Sequence, residues 1–339
     1  MKISVSFFLL IAALLLCAFA FTSETPTALG QQRPQPAPTP TPDDSGRVVT
    51  DIKEVRLPIT VLDKKGQPVM GLTKNDFLVY EDKQLQTIES FYDEKTSLPV
   101  YVAVLMDTSA STAGKLKAEQ ESAKDFIYTV ARIRKDRVAF VTFDDEVRLH
   151  QDFTDKLDVL DRAVDKVKQV GVHTAMYDAI WQVCNEKMRD VPGRRVIVII
   201  TDGDDTYSRA NLRDAIEIAQ RTETIIFAIS TEAGFATATV PGVEAGMIKD
   251  KGDKNLVALA EETGGTAFFI GDRLALERSF TKISKELRTQ YIVTYKPLND
   301  KYDGSTRRIE VRLANERGGL KVKTRRSYPA VNDRVASPQ

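Results

Sequence analysis

The sequence predicts a doubly wound α/β domain carried on a small all-β sandwich, and three observations predict it. Residues 98–288 alternate apolar strands with helices of period 3.6. Residues 47–97 and 289–330 instead alternate apolar and polar positions, as half-buried strands do. The two alternating stretches also lie on either side of the α/β stretch, so the α/β domain is expected as an insertion between strands that pair with each other, in keeping with domain termini that lie close together.

In chain order, residues 1–20 read as an export signal. Lys2 gives a basic start, an apolar run follows from Phe7 to Ala20, and Ala18-Phe19-Ala20 fits cleavage after Ala20. The apolar run of about 14 residues is shorter than the roughly 20 that span a hydrocarbon core, so no stable transmembrane segment is expected after cleavage. A retained anchor is the competing reading. A lipoprotein signal fits less well, because Leu16 stands before Cys17 where a small residue is expected. The expected address is exported, periplasmic or extracellular. Residues 21–46 carry six of the fourteen prolines, most of them alternating from Pro34 to Pro42, and read as an extended, semi-rigid linker.

From 47 to 97, Val55, Leu57, Ile59 and Val61 share one face of a strand that ends in the turn Lys64-Lys65-Gly66-Gln67. Asp76 to Tyr80 and Ile88 to Tyr92 read as two more strands, with a charged turn at Glu81-Asp82-Lys83. About 50 residues of strand cannot bury two faces unaided. The material that completes the sandwich is expected at Tyr291 to Tyr295, Arg307 to Leu313 and Leu320 to Tyr328, with Gly318-Gly319 as a hairpin turn between the last two. Residues 331–339 read as a disordered tail.

The α/β stretch, 98–288, opens with Val102 to Met106, a continuous apolar run of the kind buried on both faces of a parallel sheet. Leu116, Ala123, Phe126, Ile127, Val130 and Ile133 then form a helical stripe. Strands follow at Val138 to Phe143, Val196 to Ile200, Thr224 to Ile229 and Ala267 to Ile270. Helices are expected at Leu157 to Val167, Met176 to Met188, Leu212 to Gln220, Leu256 to Glu262 and Leu276 to Leu287. Glu232 to Asp253 reads as a long loop, either a recognition surface or simply unstructured.

Composition removes several function classes. Forty-eight basic residues balance forty-eight acidic ones, so no net field recruits nucleic acid or an anionic surface. Two cysteines and two histidines exclude thiolate zinc and iron–sulfur sites. After signal cleavage Cys184 would be the single cysteine, and its place on a stripe with Ile180 and Trp181 reads as core packing. Any metal site must therefore use oxygen ligands.

Doubly wound sheets form their sites beyond the carboxyl ends of the strands, where the strand order reverses. Asp107-Thr108-Ser109-Ala110-Ser111 follows the first long strand, and Thr201-Asp202-Gly203-Asp204-Asp205 follows the Val196 to Ile200 strand. Gly171-Val172-His173-Thr174 leads into a helix. Asp107, Ser109, Ser111, Thr174 and Asp202 together offer five oxygen groups suited to a hard cation such as Mg²⁺, with Mn²⁺ or Ca²⁺ as alternatives. Two carboxylates neutralise such an ion incompletely, which leaves it able to accept a further carboxylate. Each residue also has a structural reading: Ser109 and Ser111 as caps of a helix beginning near Thr112, Thr174 as the cap of the next helix, and Asp202-Gly203 as an ordinary turn. Asp144, Asp145, Asp204 and Asp205 read as solvated loop charges.

The Asp-x-Ser-x-Ser turn, the later threonine and the Thr-Asp-Gly loop resemble the metal-ion-dependent adhesion site (MIDAS) of von Willebrand factor A domains. The flanking stretches Gly71-Leu72-Thr73-Lys74-Asn75-Asp76-Phe77 and Leu287-Arg288-Thr289-Gln290-Tyr291 are similar to exported von Willebrand factor A-related proteins first grouped from Acidobacteria. The resemblance implies direct hydroxyl ligation by Ser109, Ser111 and Thr174, with Asp107 and Asp202 acting directly or through water. It also implies a protein partner that offers an acidic side chain. His173 departs from the small residue often found before the threonine. An enzyme is not expected: a phosphoryl-transfer site opening on Asp107 would need a titrating carboxylate two residues on, where Ser109 stands. No Gly-rich phosphate loop with lysine and no Gly-x-Ser-x-Gly turn occur. A structural envelope protein with a vestigial or purely stabilising metal site is the remaining alternative.

Overall fold

The computed structural model describes residues 54–93, 95, 98–112, 114–132, 134–168, 170–201, 204–231, 251–270, 272–315 and 318–331, all within one compact unit. The expected signal, the proline-rich linker, the tail after Val331, Asp202 with Gly203, Ile133 and most of the Glu232 to Asp253 loop lie outside the described residues. Among the described residues no helix is long and apolar enough to cross a membrane.

The central sheet has six strands. β5 (Val100–Asp107) lies between β6 (Arg137–Phe143) and β8 (Arg194–Thr201), and all three are parallel. β9 (Thr224–Ser230) and β10 (Ala267–Phe269) extend the sheet beyond β8, while β7 (Val147–Thr154) closes the other edge antiparallel to β6. The chain leaves β5 toward one edge and later returns to its opposite side, so the strand order reverses between β5 and β8. Successive side chains of these strands enter opposite cores. Val102, Val104 and Met106 pack beneath α1 (Leu116–Val130), α2 (Leu157–Asp165) and α6 (Arg273–Thr289). Ala103 and Leu105 pack beneath α3 (Met176–Val183), α4 (Leu212–Arg221) and α5 (Lys251–Thr263). Each fully buried aliphatic side chain contributes about 1.5–3 kcal/mol, which is why these strands are apolar without alternation.

The remaining strands form two four-stranded sheets. β1 (Val55–Leu62) pairs antiparallel with β11 (Tyr291–Tyr295), with Ile59 opposite Tyr291, and β4 (Ile88–Tyr92) and β13 (Lys321–Lys323) complete that sheet. β2 (Phe77–Glu81), β3 (Gln84–Gln86), β12 (Thr306–Leu313) and β14 (Ser327–Pro329) form the other. Leu57, Ile59, Val79, Tyr291 and Val293 fill the space between them. The α/β residues are thus inserted between paired strands of a sandwich. An ion pair and a hydrogen bond tie the sandwich to the α/β layers: Lys323 meets Glu286 of α6 at 2.5 Å, and Arg325 donates to the Gln220 carbonyl at 2.8 Å.

Several elements differ from the sequence reading. Leu320 to Tyr328 is not one strand, because β13 joins the sheet of β1 and β14 joins that of β12. Gly318-Gly319 therefore carries the chain toward the other sheet rather than closing a hairpin. Lys251 to Asp253 belong to α5 and not to the loop. The helix over Met176 to Met188 changes after Val183 to a π turn at Cys184–Met188. The helix expected near Thr112 begins only at Leu116, after a separate 3₁₀ turn at Ala110–Thr112.

Candidate metal centre

Asp107 ends β5 at the point where strand order reverses, and it is fully buried. Its carboxylate is held from two sides: the Ser109 amide donates to Oδ1 at 2.8 Å and the Thr201 hydroxyl donates to Oδ2 at 2.7 Å. The chain then turns tightly, with Thr112 donating its amide and its hydroxyl to the Ser109 carbonyl at 3.0 and 2.8 Å. That turn brings Ser109 Oγ and Ser111 Oγ to 3.0 Å from each other. Ser109 is buried whereas Ser111 is exposed, so the oxygen cluster grades from the sheet outward to solvent. Neither serine caps α1, whose first residue follows Lys115 with no side-chain cap.

A second loop locks onto the first through Asp144, which follows β6 directly. Asp107 lies opposite Phe143 in the β5–β6 register, so Thr108 and Asp144 fall side by side. The Thr108 hydroxyl donates to Asp144 Oδ2 at 2.8 Å, and Arg148 donates to both carboxylate oxygens at 2.8 and 2.6 Å. That bond raises the Arg148 guanidinium above its ordinary range. Asp144 is wholly buried, which corrects its reading as a solvated charge. Asp145 and Asp205 are also engaged, Asp145 with the Val172 amide at 2.7 Å and Asp205 with the Tyr177 amide at 2.9 Å, and Asp204 is exposed.

The third loop is placed by the same hub. The Gly171 amide donates to the Thr108 carbonyl and the Ala175 amide to the Asp144 carbonyl, both at 2.9 Å. A Cβ on Gly171 would stand 2.5 Å from Asp144 Cβ, so only glycine permits the approach. Thr174 is clamped between Gly171 and the loop after β8: its amide donates to Thr206 Oγ1 at 3.0 Å, and its carbonyl accepts from the Thr206 and Tyr207 amides at 2.9 and 3.0 Å. Ala175 is the residue before α3, and the first-turn amides of Tyr177 and Asp178 donate to the side chains of Asp205 and Ser208, so the capping role weighed for Thr174 is filled by the loop after β8. His173 turns to the rim, where Nδ1 meets Asp145 Oδ1 at 2.5 Å and the ring stacks on Tyr207.

The structure thus brings Asp107, Ser109, Ser111 and Thr174 to one edge of the sheet, with Thr201 directly before Asp202 at the same edge. Among the described residues no three His, Cys, Asp or Glu side chains cluster to hold a metal. The donors available are hydroxyls and a carboxylate, a set that fits a hard divalent cation retaining water and does not fit a soft one. Cys184 is fully buried, and burial pushes its thiol up to about 12, so it is no ligand. The positioning residues Asp144 and Thr206 have a signal in the sequence only once strand order is known, since both follow strands that flank β5.

The family model of the von Willebrand factor type A domain matches residues 102–282. The chain belongs to this family. Among solved structures, an aerotolerance-related membrane protein from Bacteroides fragilis is 15% identical with a TM-score of 0.44, over 56% of this chain and 98% of that one. BatB from Bacteroides thetaiotaomicron is 13% identical with a TM-score of 0.43, over 56% of this chain and all of that one. Proximal thread matrix protein 1 from the mussel byssus, described with a zinc-occupied MIDAS motif, is 16% identical with a TM-score of 0.43, over 59% of this chain and 48% of that one. No curated protein matches. In this von Willebrand factor A domain, the edge of the sheet that carries Asp107 is also the edge at which the loops from β6 and β8 converge.

Proposed function

We propose that this chain is an exported, non-enzymatic protein-interaction module of adhesion type. In this reading Asp107, Ser109, Ser111, Thr174 and Asp202 hold a divalent cation, Mg²⁺ or alternatively Mn²⁺ or Ca²⁺, and the cation takes a carboxylate from a partner protein. The observation that carries it is the pair of hydroxyls Ser109 Oγ and Ser111 Oγ, 3.0 Å apart beside a carboxylate fixed by two donors. A bound cation would supply electrophilic charge at the surface. The chain's own part is to hold Asp107 and Thr174 still, which lowers the ordering cost of binding. The proline-rich stretch would space the domain from a surface.

Titration calorimetry of the chain starting at Phe21 with Mg²⁺ and with Mn²⁺ tests the reading. Saturable binding that is lost in Asp107→Ala and in Ser109→Ala is expected. Absence of binding by the parent chain overturns it. Cation binding with no capture of carboxylate peptides would point instead to a purely stabilising metal site.

A further inference from the structure

The rim beside Thr174 exposes more apolar surface than a solvated loop requires. Val172 is 70% exposed and Tyr207 55%, two of the eight large apolar side chains left most exposed among the described residues. Between them His173 lies parallel to Tyr207, ring centroids 4.7 Å apart and planes 14° from each other. Tyr207 keeps its exposure although one ring face is covered.

This platform is fixed. The Val172 amide donates to Asp145 Oδ2, His173 Nδ1 meets Asp145 Oδ1, and the Tyr207 amide donates to the Thr174 carbonyl. An aromatic held in place at a surface is the side chain most able to anchor a partner, because little conformational freedom remains to be lost. The charge around it is one-sided: loops 144–148, 171–178 and 204–209 carry six carboxylates and two guanidiniums. The loops are therefore net acidic, which favours a cationic group on a partner over a second anionic one.

We infer that the Tyr207 face, with Asp145 held at the same rim through His173, takes a guanidinium or ammonium group of the partner protein that delivers the carboxylate. The partner segment then carries both charges, an acidic residue for the cation and a basic one for the ring. A cation over an exposed aromatic face gains from the ring quadrupole, and the net acidic charge of these loops reinforces it. The inference rests on the cation-binding reading for the acidic half only; the basic half stands on the rim residues.

The test is amide NMR of the ¹⁵N-labelled chain with Mg²⁺, titrated with acetyl-Glu-Gly-Arg-amide and with the same peptide carrying citrulline in place of arginine. The arginine peptide is expected to bind about two- to fivefold more tightly, the effect of an exposed cation–π contact. It should shift the Val172, His173 and Tyr207 amides, and the preference should vanish in Tyr207→Leu, which keeps bulk and removes the aromatic face. Equal binding of the two peptides, a preference that survives Tyr207→Leu, or no shift at these amides overturns the inference. Asp107→Ala separates the two readings. A rim shift that persists there while Mg²⁺ dependence is missing from the parent chain refutes the cation site alone.

Discussion

Thr201 and Asp107, 94 residues apart in sequence, meet through a 2.7 Å hydrogen bond from hydroxyl to carboxylate in the fully buried space between β8 and β5. The bond crosses the point where the strand order reverses, and with the Ser109 amide it fixes both oxygens of the aspartate. In the proposed cation site, outer partners of this kind would orient Asp107 and set its basicity.

Thr201→Val keeps shape and removes the donor. It is expected to lower Mg²⁺ affinity about 10- to 100-fold, as loss of an outer-sphere partner does, and to cost about 1–3 kcal/mol for a buried acceptor deprived of that donor. Calorimetry and urea unfolding on the same variant measure the two effects.

Gly171→Ala places a methyl group 2.5 Å from Asp144 Cβ. Asp144 cannot yield freely, since Thr108 and Arg148 both hold it. Overpacking of this kind costs about 1–3 kcal/mol. Loop 171–175 should move away from the Asp107 turn, so cation affinity should fall together with the thermal midpoint. Gly114→Ala, where nothing lies within 4 Å of the added Cβ, is the control and should change neither.

The far end of the α/β domain sets an acid limit. Asp136 is buried, which by itself would raise its carboxyl. Bonds from Arg132, Arg288 and the Val100 amide outweigh burial and hold it down at about 2 instead of the usual 3.8. A carboxyl lowered in the folded state contributes stability that is fully present above 3.8 and is lost as pH falls toward 2, here about 2 kcal/mol. Urea midpoints measured between pH 5 and 2 should fall through that window, and Asp136→Asn should flatten the fall while lowering stability at pH 7.

The doubly wound architecture was legible because β5, β8 and β9 are buried on both faces and must be apolar throughout. β7 was not, since an edge strand carrying Arg148, His150 and Gln151 shows neither an apolar run nor regular alternation, and its register with β6 is broken twice. The split of Leu320 to Tyr328 was hidden for a related reason: which sheet a three-residue strand joins is decided by partners far away in sequence. Asp107, Ser109 and Ser111 could be read together because they sit on one turn. The work of Asp144 could not, because it depends on Phe143 lying opposite Asp107.

The pairing of β1 with β11 also dictates a timetable. Ile59 finds its partner Tyr291 only after the whole intervening domain has been made. At about 5–20 residues per second of synthesis that interval is roughly 10 to 50 s. Throughout it the early strands lack their central partner and present open edges of the kind that invite aggregation. The inserted domain, whose six-stranded sheet is built only from its own strands, can condense first and bring the two ends of the sandwich together, turning a distant encounter into a short-range one.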